Sequence, residues 1–246
     1  IKNKVSNFCF ISTDKAVNPK TIMGSSKRLA ELYIQSIHSH LYKKNDIKTI
    51  FSIVRFGNVF NSSGSVIPLF NKQINSGGPL TVTSKNVERY FMSISEAVNL
   101  VLQSTELSTN CSIFVLDMGS PLKIIDLAKK LVTLSGLSVK SVDNPEGGIE
   151  IKITGISSYE KITEELSINK NLVQTKNSSI FEDSLEIIEY EKLSYLKNEF
   201  INNLKEKNIN KLKKLINKFW NINFLQINLS YKLFLQHYQD LYGIYL

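Results

Sequence analysis

Three side chains of unlike character stand together at Thr13-Asp14-Lys15, directly after the apolar run Phe8-Cys9-Phe10-Ile11. A hydroxyl, a carboxylate and an ammonium are the groups that acid–base chemistry on one substrate uses. Alone, the run also reads as an ordinary polar turn with a surface ion pair. Its placement favours chemistry, because ligands of open α/β sheets bind beyond the carboxyl ends of strands. Twelve residues further on, Lys27 falls in the first turn of a predicted helix. An ammonium there opposes the helix dipole, and such a local conflict points to function.

The elements that must hold these residues follow from periodicity. Residues 5–12 read as a buried strand and 13–24 as a loop broken by Pro19 and Gly24. Residues 25–43 read as an amphipathic helix, with Leu29, Leu32, Tyr33, Ile37 and Leu41 at helical spacing. Residues 49–54 read as a second strand ending at Arg55, so that strand, helix and strand form a parallel crossover unit. Further helices are expected over 66–76, stopped by Gly77-Gly78-Pro79, over 94–104, and over 122–135, closed by Gly136. Strands are expected over 80–83, 113–116 and 149–153.

The stretch Ser12-Thr13-Asp14-Lys15-Ala16-Val17-Asn18-Pro19, with Met23-Gly24-Ser25-Ser26-Lys27, resembles the active-site segment of the extended short-chain dehydrogenases, most closely the CapD-like polysaccharide-biosynthesis dehydratases. The resemblance continues through Arg55-Phe56-Gly57-Asn58-Val59, Gly64-Ser65-Val66-Ile67-Pro68-Leu69-Phe70, Gly77-Gly78-Pro79 and Arg89-Tyr90-Phe91-Met92. It extends to Phe114-Val115-Leu116-Asp117-Met118-Gly119 and Glu160-Lys161, about residues 5–166 in all. It implies an α/β fold: the C-terminal part of a Rossmann-like parallel sheet, a small α/β substrate-binding region and a helical tail. Residues 1–62 would complete the NAD-binding domain, 63–170 would bind the nucleotide sugar, with 94–118 returning to the sheet, and 171–246 would be the tail.

The activity implied is NAD-dependent 4,6-dehydration of a nucleotide sugar, UDP-N-acetylglucosamine, for surface glycans. The sugar is oxidised at C4, water is eliminated across C5 and C6, and hydride returns to C6. By resemblance Thr13 hydrogen-bonds the 4-hydroxyl, Asp14 protonates the leaving 6-hydroxyl, Lys15 takes the C5 proton and Lys27 holds the nicotinamide ribose. Ser12 and Arg55 would lie with the cofactor, and Asn58, Val66, Arg89 and Glu160 with the substrate. Asp14 and Lys15 would need the neutral forms of both side chains, which burial of a closed site favours.

Two positions depart from the wider pattern. The superfamily's Tyr, four residues before the helix Lys, is Met23, which cannot move a proton; a subgroup of the CapD-like enzymes, associated with retained configuration at C5, shares it. Before Glu160-Lys161 the family's Arg-Pro-Gly is replaced by Ser157-Ser158-Tyr159, which removes one nucleotide-holding Arg. Alternatives are a related epimerase, a C5-inverting dehydratase, or a non-catalytic remnant that packs on another chain. No G-x-G-x-x-G occurs, and Gly147-Gly148 does not open a helix after a strand. The phosphate loop is therefore expected upstream of Ile1, and this chain alone is expected to be inactive and poorly soluble.

Composition limits the rest. At 42% hydrophobic over 246 residues the chain can bury a core, and no apolar run approaches the roughly 20 residues of a membrane span. The net charge of +8 is dispersed, apart from Lys205 to Lys218, without the aromatic interleaving of a nucleic-acid module. His38 and His40 point apart on one helix and His237 stands alone, so no metal site is expected. Cys9 and Cys111 read as buried reduced thiols of a cytoplasmic protein. The resemblance adds that full-length relatives often carry membrane helices, and it implies a homo-oligomer at full length.

Overall fold

A computed structural model describes residues 4–44, 48–62, 64–168, 172–184, 188–208, 210–212 and 214–215. Strand β1 (Asn7–Ile11) leads into a 3₁₀ turn at Asp14–Ala16 and then helix α1 (Ile22–Lys43). Thr21 caps α1, its hydroxyl accepting from the Gly24 amide at 3.1 Å. The helix thus begins three residues before the sequence pattern predicts. Lys27 sits in its second turn, where the dipole penalty has largely faded.

Strand β2 (Ile50–Arg55) returns parallel to β1, and the short β3 (Asn58–Val59) follows. Helix α2 (Val66–Asn75), β4 (Leu80–Val82), β5 (Glu88–Arg89) and β6 (Phe91–Met92) come next. Helix α3 (Ile94–Leu107) starts in a capping box of Ser93 and Glu96, and β7 (Cys111–Leu116) then pairs parallel with β2. After β8 (Leu122–Lys123), α4 (Ile124–Leu134) and β9 (Ile151–Ile153), the chain returns to the main sheet.

Residues expected to open a helical tail form instead a hairpin of β10 (Val173–Gln174) and β11 (Ile180–Asp183), with β11 antiparallel to β7. Two and four residues are too few to display a period, and Ile180 contributes the only fully buried apolar side chain of the pair. Helix α5 (Tyr190–Lys205) follows and packs on α1. The expected helical stretch beyond 215, and the apolar Tyr-rich end, lie outside the described residues.

The main sheet has the order β1-β2-β7-β11-β10. On one face Phe51, Ile53 and Ile113 pack against Ile34 of α1; on the other Val54, Phe114 and Leu116 pack against Ala97 and Leu100 of α3. Burial on both faces is why β2 and β7 read as largely apolar runs, interrupted by the buried Ser52 and Ser112. Strand β1, predicted to be buried, lies at the sheet edge, with Phe8 and Ile11 exposed and Cys9 half-buried. Its apolar composition reflects strand propensity, and on the side away from β2 no described strand covers it. A separate core of Phe70, Leu80, Val82, Val87, Phe91, Ala128 and Val132 unites α2, α4, β4 and β9. The site lies between this unit and the sheet. No described helix is long and apolar enough to cross a membrane.

Candidate active site

The chain leaves β1 and β2 at their carboxyl ends and turns over one cavity. It has about 580 Å³, and its wall includes Thr13, Lys15, Met23, Asn58, Val66, Arg89 and Glu160. A smaller neighbouring cavity of about 330 Å³ shares Lys15, Met23, Arg89 and Glu160 with it and adds Lys161 and Glu164. Seven of the sequence-predicted residues, from four separate segments, thus meet in one place.

Lys15 is the centre of the arrangement. Its Nζ donates to Asp14 Oδ1 and to Asn58 Oδ1, both at 3.0 Å. Asn58 is held there by β3, which pairs with β6 and lies next to Arg89. The close return of α1 requires Gly24, where a Cβ would stand 2.2 Å from the Lys15 carbonyl oxygen. Asp14 has no exposed surface. It lies behind the cavity wall, where its Oδ1 accepts from Thr13 Oγ1 at 2.8 Å, and Oδ2 has no hydrogen-bond partner among the described residues. The Thr13 hydroxyl therefore stands between Asp14 and the cavity.

Arg89 donates through Nη1 to the carbonyls of Glu88 and Ile162, at 2.7 and 3.0 Å, and its Nη2 reaches Glu160 Oε1 at 3.3 Å. Glu160 Oε1 also accepts from Thr83 Oγ1 at 2.9 Å. Both side chains are thus fixed with their ends on the cavity. Val66 opens α2, whose first backbone N–H groups have no intrahelical acceptor. Met23, 38% exposed, presents a thioether to both cavities.

Lys27 does not line either cavity. Its Nζ donates to the Ile11 carbonyl at 3.0 Å and lies 4.9 Å over the Phe10 ring. Burial pulls the ammonium below its ordinary range, partly opposed by the charge of Glu31.

Arg55 and Ser12, expected beside the cofactor, line neither of these two cavities; both are buried in a charge cluster behind the site. Arg55 Nε and Nη2 grip the two oxygens of Glu31 at 2.8 and 2.7 Å, and Nη1 donates to Asp183 Oδ2 at 2.7 Å. Ser12 Oγ donates to Glu31 Oε1 at 2.6 Å, and Arg28 Nη1 to Glu31 Oε2 at 3.0 Å. Burial pushes the Glu31 carboxyl up, but the hydrogen bonds and charge of Arg55, with Ser12 and Arg28, outweigh it and hold the group below the usual carboxylate range. With every Arg55 nitrogen engaged, the guanidinium has no donor group left without a carboxylate partner.

Sequence reasoning missed Glu31 and Asp183 as partners, and Glu164 as a site residue. Glu31 lies 24 residues from Arg55 and Asp183 128 residues away, and no local signal connects them. Glu164 belongs to the charged run Glu160-Lys161-Ile162-Thr163-Glu164-Glu165, which reads as a solvated face.

Residues 1–184 match the family described as polysaccharide biosynthesis protein. The capsular polysaccharide biosynthesis protein CapD of Staphylococcus aureus is 44% identical over 219 residues, 88% of this chain and 34% of the relative. The probable polysaccharide biosynthesis protein EpsC of Bacillus subtilis is 49% identical over 169 residues, 69% of this chain and 26% of the relative. A UDP-glucose 4-epimerase of Rickettsia canadensis is 36% identical over 178 residues, 72% of this chain and 48% of the relative. The X-ray structure of Pen from Bacillus thuringiensis superposes with a TM-score of 0.62 at 29% identity, over 80% of this chain and 63% of that one. The chain therefore spans about a third of the Staphylococcus relative and about a quarter of the Bacillus subtilis one. Its main sheet is Rossmann-like, and by its sequence the chain belongs to the polysaccharide biosynthesis protein family.

Proposed function

We propose that the chain supplies the catalytic segment of an NAD-dependent nucleotide-sugar 4,6-dehydratase acting on UDP-N-acetylglucosamine in surface-glycan synthesis. The observation that carries this reading is the Lys15 ammonium on the cavity wall, between Asp14 and Asn58 at 3.0 Å each. Simple epimerisation at C4 needs no base at C5, whereas elimination does. Residues 1–62 with β7 would form the cofactor side and 63–170 the sugar side. Val66 and its helix N-terminus, with Arg89, suit the nucleotide diphosphate, since free N–H groups and a guanidinium both favour phosphate oxygens.

The residues present fit the nicotinamide end of a cofactor. Lys27 stands at the carboxyl end of β1, half-buried, with an ammonium whose one hydrogen bond shown is to the Ile11 carbonyl. No phosphate-binding Gly pattern occurs in this sequence, so the opposite end has no counterpart among these residues. When bound, NAD would accept the C4 hydride and later return it at C6. Thr13 would hold the 4-hydroxyl, and as hydride leaves C4 the hydroxyl proton would pass through the Thr13 hydroxyl to the Asp14 carboxylate. Lys15, as the neutral amine, would take the C5 proton once C4 is a ketone, and would give a proton back to C5 when hydride reaches C6. The proton for the departing O6 would come from Asp14. Because that carboxyl lies behind Thr13, it would travel through the Thr13 hydroxyl, and water would leave.

The test is conversion of UDP-N-acetylglucosamine with NAD. It uses this chain and a fusion that adds the segment preceding the matched region of the Staphylococcus relative. We expect the 4-keto-6-deoxy product from the fusion, lowered by about 10²–10⁴-fold in Lys15→Ala, the range of one general base. A 4-epimer as product would establish the epimerase reading instead, the activity carried in the name of the Rickettsia relative.

A further inference from the structure

Near Lys15 stands a carboxylate that the proposed mechanism does not use. Glu164 is 7% exposed and lies on the wall of the smaller cavity. Its Oε1 is 3.9 Å from Lys15 Nζ and 3.9 Å from Arg89 Nε, and its Oε2 is 3.9 Å from Lys161 Nζ. One buried carboxylate therefore stands among three cations from three segments: the turn after β1, strand β5, and the loop after β9. Each approach is too long for a direct hydrogen bond, so the carboxylate is balanced between them.

The surroundings make its charge conditional. Burial pushes the Glu164 carboxyl up, and the charge of Asp14 adds to that effect. Lys15, Arg89 and Lys161 pull the other way without cancelling it. Lys161 is anchored elsewhere, donating to the Val17 carbonyl at 2.8 Å and pairing with Glu165 at 3.5 Å. Arg89 is committed to two backbone carbonyls and to Glu160. Lys15 is the most exposed cation of the three, with about a quarter of its side chain open to the cavity.

We propose that Glu164 is a positioning residue that biases the charge of Lys15: ionised, it adds a second carboxylate to Asp14 beside the ammonium; neutral, it leaves one anion fewer and so favours the free amine. This deepens the dehydratase reading and rests on it for its catalytic meaning, but its physical content is a coupling between two side chains. The charged groups facing Lys15 are Asp14 and Glu164; those facing Glu164 are Lys15, Asp14, Arg89 and Lys161. An anionic substrate reaching Arg89 would oppose the Glu164 charge and favour its protonation. Substrate binding would then itself release Lys15 as a base.

The experiment measures the rate at which Lys15 in this chain is acylated by a small amine reagent as pH is varied, using peptide mass analysis and no substrate. Only the free amine reacts, so the rate reports its fraction. Removing the anion in Glu164→Gln should raise the Lys15 rate at neutral pH about tenfold, while Glu164→Asp should stay near the parent. Lys72, on α2 and outside the lining of both cavities, serves as the internal reference and should not change. Equal Lys15 rates in parent and Glu164→Gln, with both folded by circular dichroism, would overturn the coupling. If Glu164→Gln does not fold, a twofold or smaller change in the Lys15 rate of folded Glu164→Met would overturn it as well. In the active fusion, Glu164→Gln should move the acid limb of the kcat profile to lower pH with KM little changed. A fusion without dehydratase activity would sink the functional reading and leave the labelling result to decide this one.

Discussion

Arg55→Met is the sharpest test of how the site is held. In the parent, Arg55 closes three charge-assisted hydrogen bonds, two to Glu31 and one to Asp183, at 2.7–2.8 Å and with 1% exposure. Met has a similar volume, so packing survives and the two carboxylates lose their main partner. Breaking a buried ion pair in this way costs about 3–5 kcal/mol. Arg28 keeps one hydrogen bond to Glu31 and Ser167 keeps one to Asp183, at 3.0 Å each, which places the expected loss near 3 kcal/mol, the lower end of that range. With a urea slope of about 2 kcal/mol per M, the midpoint should fall by about 1.5 M. The pH dependence should change too. Glu31 is held below its ordinary value of 4.5, so it contributes stability that is present above 4.5 and lost as pH falls through the folded value. Arg55→Met should lose most of that acid-side term. Urea unfolding by circular dichroism at pH 7 and at pH 4 measures both. A variant within about 1 kcal/mol of the parent would refute the brace and return Arg55 to the cofactor role its motif suggests.

Two further substitutions probe the same frame. Gly24→Ala would place a Cβ 2.2 Å from the Lys15 carbonyl and 3.2 Å from Pro19 Cβ. The backbone must shift, and we expect a loss of about 1–3 kcal/mol in urea unfolding, so parent-like stability would show that the approach is looser than described. Burial pushes the Cys111 thiol from an ordinary 9.0 up to about 11, which leaves about a hundredfold less thiolate at pH 8. Disulfide reagents should therefore modify half-buried Cys9 first and Cys111 only on unfolding. Equal rates in the folded chain would contradict the depth of β7.

What the sequence discloses and what it hides divide along the distance between partners. Thr13, Asp14 and Lys15 are neighbours in the chain, and their motif is legible because the turn that brings them together is local. Strands β2 and β7 are legible because burial on both faces leaves a largely apolar run. Arg55 carries no such mark. The same side chain at the end of the same strand would serve a phosphate or a buried carboxylate equally well, and only Glu31 and Asp183 decide between them. Glu164 is hidden for the opposite reason. Its neighbours Lys161 and Glu165 make the segment look solvated, while the fold turns this one carboxylate inward against Lys15 and Arg89. The β10–β11 hairpin is silent in the sequence because strands this short have no period, yet Asp183 at its end completes the cluster that Arg55 anchors. The residues that line the larger cavity are thus announced by motif, whereas Glu31 and Asp183, which pair with Arg55, and Glu164, which stands near Lys15, come from remote segments. For this reason the decisive variants are Arg55→Met and Glu164→Gln, at positions whose partners the sequence does not reveal.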